Sequence, residues 1–252
     1  MNTISLHFST LVRAFRLLHS MLLLGPAIAC AQQIQAGGID YPDTYTLRPL
    51  AEQQAVLLKH FPQLKKMNVK LPEPPDGAEG YFAIPRWQRI APTYGQALSR
   101  VFAALAKSRG GDFHDYRNGK LGARFLRQEK HSKSGWDRLA ARQRGDIVAV
   151  PAQFGQRYRG KSANDARKMF EDNQFGLGAY HVAIMLLTHP ERLSTGSELW
   201  LYAPGDEYSY DGKGQFDFAP LFYFRGDEIG FDVIFAGGAY DVYGSVSGIL
   251  PR

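Results

Sequence analysis

Two acidic dipeptides, two histidines and one glycine-lysine-serine loop hold the residue types that could do chemistry. Asp206-Glu207 and Asp227-Glu228 stand in GDEY and GDEI. Paired acids at strand ends can serve as general acid and general base in glycoside cleavage, where roughly 5 to 10 Å separates the two groups. The competing reading is conformational, because Gly-Asp favours tight turns and strand ends. Asp206 and Glu207 are the carboxylate candidates, and His181 and His114 are the histidines that could move protons beside them. His181 lies inside the apolar run GAYHVAIMLL, where a hydrogen-bonded core histidine is the simpler assignment. His114 begins HDYR, where imidazole, carboxyl, phenol and guanidinium are adjacent, although neighbours on an extended chain point opposite ways.

GQRYRGKS, Gly155 to Ser162, fits the phosphate-cradling pattern G-x-x-x-x-G-K-[ST]. A strand candidate precedes it and a helix candidate follows it, as that chemistry requires. The bulky Gln156, Arg157, Tyr158 and Arg159 fill positions where backbone amides must close on phosphate, and no strand ending in a magnesium-binding aspartate accompanies them. A nucleotide site is therefore the third-ranked reading. A milder one keeps Arg157, Arg159, Lys161 and Ser162 as an anion-binding loop at a helix start. No H-E-x-x-H or G-x-S-x-G occurs. Asp211-Gly212-Lys213-Gly214 puts lysine where a calcium loop needs an oxygen ligand. No metal and no cofactor are expected.

The elements that must position these residues can be read from periodicity. RPLAEQQAVLLKHF (48–61) has helical spacing and is stopped by Pro62. LPEPPDGAEG (71–80) is a linker or long loop, and GYFAIP is a short strand. PTYGQALSRVFAALAKSRGG (92–111) is the clearest helix. Residues 121–144 are basic and mostly helical in pattern, with a break expected at Ser134-Gly135. GDIVAVP is a buried strand, and Ser162 can cap a helix running to Asn173. LGAYHVAIMLLTHPERL should be central. The rest is aromatic-rich and cut by Gly-Asp and Asp-Gly turns, which predicts antiparallel hairpins. Helices lead and strands follow, so the fold class is α+β.

Charge is unevenly placed. Residues 100–168 hold 17 Lys/Arg against 6 Asp/Glu, and residues 169–252 hold 4 against 12. Opposite blocks of this kind are expected to pair across the fold, and what stays unpaired can face an anionic partner. Aromatic residues interleave the basic block, but no nucleic-acid signature is present, so nucleic acid is not the expected partner.

The first residues read as a leader. Arg13 and Arg16 precede the apolar stretch Leu17–Ala29, and Ala29-Cys30-Ala31 supplies a small-residue cleavage site. That stretch has 13 residues, whereas a spanning helix needs about 20. A membrane anchor is thus disfavoured, and no span is expected after signal removal. Ala27-Ile28-Ala29-Cys30 resembles a bacterial lipobox, which makes lipidation of Cys30 the less favoured variant. Cys30 is the only cysteine, so no disulfide is expected. The organisation expected is a signal peptide over 1–31, a helical arm and Pro-rich linker over 32–79, and a main α+β domain over 80–252. The role expected is that of a periplasmic or secreted binding protein, using the basic middle segment and the aromatic-acidic hairpins against a protein or an anionic envelope polymer. A cell-envelope hydrolase built on the carboxylates and histidines is the alternative, so whether the chain is an enzyme stays open.

Overall fold

Pro49 and Pro62 bracket the first helix, α1 (Leu50–His60), where a ring without an amide proton can only start or stop one. The computed structural model describes residues 41–67, 70–196 and 198–251, and these belong to one compact unit. The leader and the Cys30 lipidation site lie outside the described residues. Residues 71–79 carry no regular element, as their prolines dictate, and lead into β1 (Gly80–Pro85). The buried Gln53 of α1 fastens the arm to this strand. Its amide nitrogen donates to Arg48 O and Tyr81 O, and its oxygen accepts from Ala83 N at 2.7 Å.

Helix α2 (Tyr94–Ser108) starts with Thr93, whose hydroxyl accepts from Gln96 N. Two short strands follow, β2 (Phe113–Asp115) and β3 (Leu126–Gln128), and then α3 (Lys130–Ala141). The break expected at Ser134-Gly135 does not occur, and the helix runs through it. Gly135 serves packing instead of breaking: a Cβ there would stand 2.4 Å from the Phe175 ring. Strand β4 (Ile147–Gln153) is buried throughout. Helix α4 (Ala163–Met169) begins at Ser162 as expected but stops before Asn173, because Phe170 leaves helical geometry. After β5 (Gln174–Gly176) comes α5 (Ala179–Thr188), whose ten residues are all buried. The remainder is strand: β6 (Trp200–Tyr202), β7 (Asp206–Tyr208), β8 (Phe218–Arg225), β9 (Glu228–Phe235), β10 (Tyr243–Ser245) and β11 (Ser247–Ile249). The class is α+β, with the aromatic-rich strands at the C-terminal end.

Two sheets result. The smaller has the order β1-β4-β11-β5 and is antiparallel throughout. The larger has seven strands: β10-β6-β8-β7-β3, with β9 on β8 and β2 on β9. Only β10 with β6 and β2 with β9 are parallel. Helix α2 lies between α5 and the larger sheet, pressing Phe102 onto Phe113, Phe222 and Phe231. No helix of the described residues is long and apolar enough to cross a membrane.

Candidate functional site

Adjacent residues on a strand face opposite ways, and β7 obeys that rule. Asp206 points inward and is fully buried, while Glu207 points outward and meets Arg127 of β3 at 2.7 Å. The two carboxylates therefore do not share a cleft. Asp227 and Gly226 both take positive φ and make the two-residue turn of the β8–β9 hairpin. His114 is exposed on β2, its ring against Tyr116. Among the four catalytic candidates, the structure brings only Asp206 and His181 together, at the N-terminus of α5.

What they do there is cap a helix. The residue before α5 is Gly178, which has no side chain to offer the free amides of the first turn. Asp206 supplies the missing acceptor from β7: its Oδ2 accepts from Ala179 N at 2.7 Å and from the Tyr94 hydroxyl at 2.8 Å. His181 reaches back so that its Nδ1 accepts from Gly178 N. Gly178 is required because a Cβ would stand 2.4 Å from Asp206 Oδ1. Burial raises the Asp206 pKa to about 7, against the lowering effect of the Ala179 and Tyr94 hydrogen bonds. Burial drives His181 down to about 3, so it is neutral, with Nε2 protonated and unpartnered against Trp136. Both oxygens of the carboxyl group are engaged, and both residues are enclosed.

The Gly155–Ser162 loop has a similar outcome. All seven amides from Gly155 to Lys161 donate within the protein. Gly155 N and Arg157 N go to Gln153 Oε1, Gln156 N to the Tyr41 hydroxyl, and the next four to backbone carbonyls. None is left to cradle phosphate. Ser162 spends its hydroxyl on the α4 cap, accepting from Asp165 N and donating to Asp165 Oδ2. Arg157 pairs with Glu171 at 2.7 Å, and Arg159 donates to Asp241 O. Among the described residues, Lys161 is exposed and makes no ion pair.

The basic middle segment and the C-terminal hairpins do converge, on the outer edge of the larger sheet. Asp115 closes the turn after β2 by accepting from Arg117 N at 2.9 Å and Gly119 N at 2.7 Å, and Asn118-Gly119 takes positive φ. That turn aims Arg117 inward, where it meets Asp232 of β9 at 2.8 Å and lies over Tyr210 at 4.9 Å. Next along the chain, Arg124 donates to Gly212 O at 3.0 Å and covers Phe125, which Lys120 also approaches. Arg127 on edge strand β3 sits 3.8 Å above the Phe216 ring. The β7–β8 loop (209–217) thus interlocks with residues 117–127. Cation–aromatic pairs of this kind contribute about 0.5–1 kcal/mol each at exposed sites, which offsets part of the rotamer entropy of the long side chains. Arg117–Asp232, Arg127–Glu207 and Arg157–Glu171 join the basic and acidic blocks, so pairing across the fold accounts for part of the charge asymmetry. Lys120, Arg124, Arg127 and Lys213 remain exposed on this surface.

Behind it lies a polar node that the sequence reading missed. Asp232 is 1% exposed; its Oδ1 meets Arg117 and Val233 N, while Oδ2 has no partner. The Tyr208 hydroxyl is likewise buried without a partner, and the Tyr223 hydroxyl faces that of Tyr116. Burial raises Asp232 above the usual carboxylate range against the opposing effect of Arg117, and pushes Tyr208 up to about 12. The usable signal was a lone carboxylate inside the apolar strand IGFDVIF. Among the described residues, no three His, Cys, Asp or Glu side chains are grouped to hold a metal ion. Comparison with protein-family models, with curated proteins and with solved structures finds no match.

Proposed function

We propose that this is an exported binding protein, periplasmic or secreted, that takes an anionic envelope polymer on the cation–aromatic surface of residues 117–127 and 209–217. Export rests on the leader pattern. The binding role rests on one observation: two segments of opposite charge and distant sequence interlock there, yet leave Lys120, Arg124 and Arg127 exposed on aromatic supports. A guanidinium already held on a ring loses less freedom when it meets an anion. The acid–base reading has less support, because Asp206 and Glu207 face opposite sides of one strand and Asp206 is committed to α5.

Binding of polyglutamate and polygalacturonate to the purified protein, titrated with salt, tests the proposal. The expected result is binding that weakens as salt rises and falls at least tenfold in the double variant Arg124→Glu/Arg127→Glu. Binding unchanged by the variant, or absent for both polymers at low salt, would overturn it. Retention on an acidic protein alone would move the partner to that class.

A further inference from the structure

The turn that aims Arg117 inward carries a reactive step of its own. Asn118-Gly119 is the only Asn-Gly pair in the sequence. It forms the centre of a tight turn in which Lys120 N donates to Arg117 O at 3.0 Å, and its φ values of 51° and 73° are the left-handed ones such a turn requires. Both residues are exposed, and a Cβ on Gly119 would meet nothing within 4 Å, so no wall stands against the pair. The other described asparagines differ. Asn164 and Asn173 are half-buried, Asn164 gives its side-chain oxygen to Arg167 at 2.9 Å, and bulkier residues follow both.

An asparagine followed by glycine is open to attack by its own backbone. The Gly119 nitrogen bonds to Asn118 Cγ and gives up its proton, and the side-chain nitrogen leaves as ammonia. A five-membered imide results. Water then opens it at either carbonyl, giving aspartate or, where the main chain now runs through Cγ, isoaspartate. Water is the only co-reactant. The attacking nitrogen is the one that Asp115 holds: Gly119 N donates to Asp115 Oδ2 at 2.7 Å, while Oδ1 takes Arg117 N at 2.9 Å. A carboxylate is far too weak a base to remove an amide proton, so this charge-assisted bond restrains the nitrogen and must break before the ring closes.

We propose that Asn118 is a site of spontaneous conversion to aspartate and isoaspartate, with Asp115 the positioning residue that slows it. The product adds a carboxylate between Arg117 and Lys120, and its isoaspartate form lengthens the turn that aims Arg117 at Asp232. The chemistry is independent of any ligand. On the surface proposed above, it removes net positive charge as the protein ages.

Purified protein, aged for weeks at mildly alkaline pH, is mapped by mass with a protease that spares Arg117 and Lys120, and isoaspartate is read by enzymatic methylation. The expected result is the mass gain of an amide-to-acid change at Asn118, as both isomers, with Asn164 and Asn173 unchanged. Asp115→Ala should raise the rate about tenfold, since it removes a hydrogen bond to a charged group. Asp115→Asn keeps a neutral acceptor and should fall between, with Gly119 amide hydrogen exchange quickening in the same order. Asn118 unchanged in all three proteins would overturn the proposal, as would aspartate without isoaspartate, which means direct hydrolysis. Equal rates in the three, or faster exchange without faster conversion, would overturn the role of Asp115.

Discussion

Two buried aspartates sit on one sheet and have opposite fates. Asp206 on β7 has both oxygens engaged and exists to finish α5, a helix whose own N-terminal residue is a glycine. Asp232 on β9 meets Arg117 with one oxygen and leaves the other without a partner. Both have raised pKa values for the same first reason, burial. A raised pKa therefore does not tell a fully engaged carboxylate from a partly engaged one, and the count of used hydrogen-bonding positions does. By that measure Asp206 is fully committed to the fold and Asp232 is only partly engaged.

The comparison breaks most visibly if the Arg117–Asp232 pair proves unimportant to folding. Asp232→Ala strands a largely buried guanidinium and should cost about 3 kcal/mol in urea unfolding. Arg117→Met combined with Asp232→Leu should restore much of that loss, since a paired removal leaves no orphan charge. Asp206→Ala orphans Ala179 N and the Tyr94 hydroxyl, and should cost about 2 kcal/mol in the same assay. Asp206→Asn sharpens the contrast through pH. The folded carboxyl titrates near pH 7, against about 4 when unfolded. Between those values the native state holds the extra proton, so this group's contribution falls as pH rises, by about 1.4 kcal/mol per pH unit. His181 acts in the opposite sense, since its folded pKa of about 3 lies below the unfolded value and its contribution is lost on acidification. Unfolding free energies measured from pH 4 to 7 should thus rise more steeply in Asp206→Asn than in the wild type. The smallest effect is expected of Tyr223→Phe, a loss of about 1 kcal/mol in urea unfolding, because it removes the hydroxyl that meets Tyr116.

Much of the scaffold was legible in the sequence because it rests on local signals. Pro62 ended α1, Ser162 opened α4, and GYFAIP and DIVAVP stood out as strands. The helix break expected at Ser134-Gly135 failed because that glycine answers to Phe175, a partner about forty positions away. The site was less legible for the same reason. Spacing singled out Asp206, Glu207 and His181, but strand alternation separates the two acids and a tertiary contact turns Asp206 into a helix cap. The phosphate-loop pattern matched in letters, yet Gln153 and the backbone absorb its amides. The basic and the aromatic-acidic segments meet at Arg117, Arg124 and Arg127. Asp232 escaped notice because only Arg117, a partner distant in sequence, singles it out.

Chemical-shift mapping of the isotope-labelled protein with tetragalacturonic acid tests the central claim most directly. The account predicts movement at Arg124, Arg127, Gly212 and Phe216, with Tyr94, Ala179 and His181 unmoved. Perturbations concentrated at the start of α5, with the β3 edge silent, would contradict it.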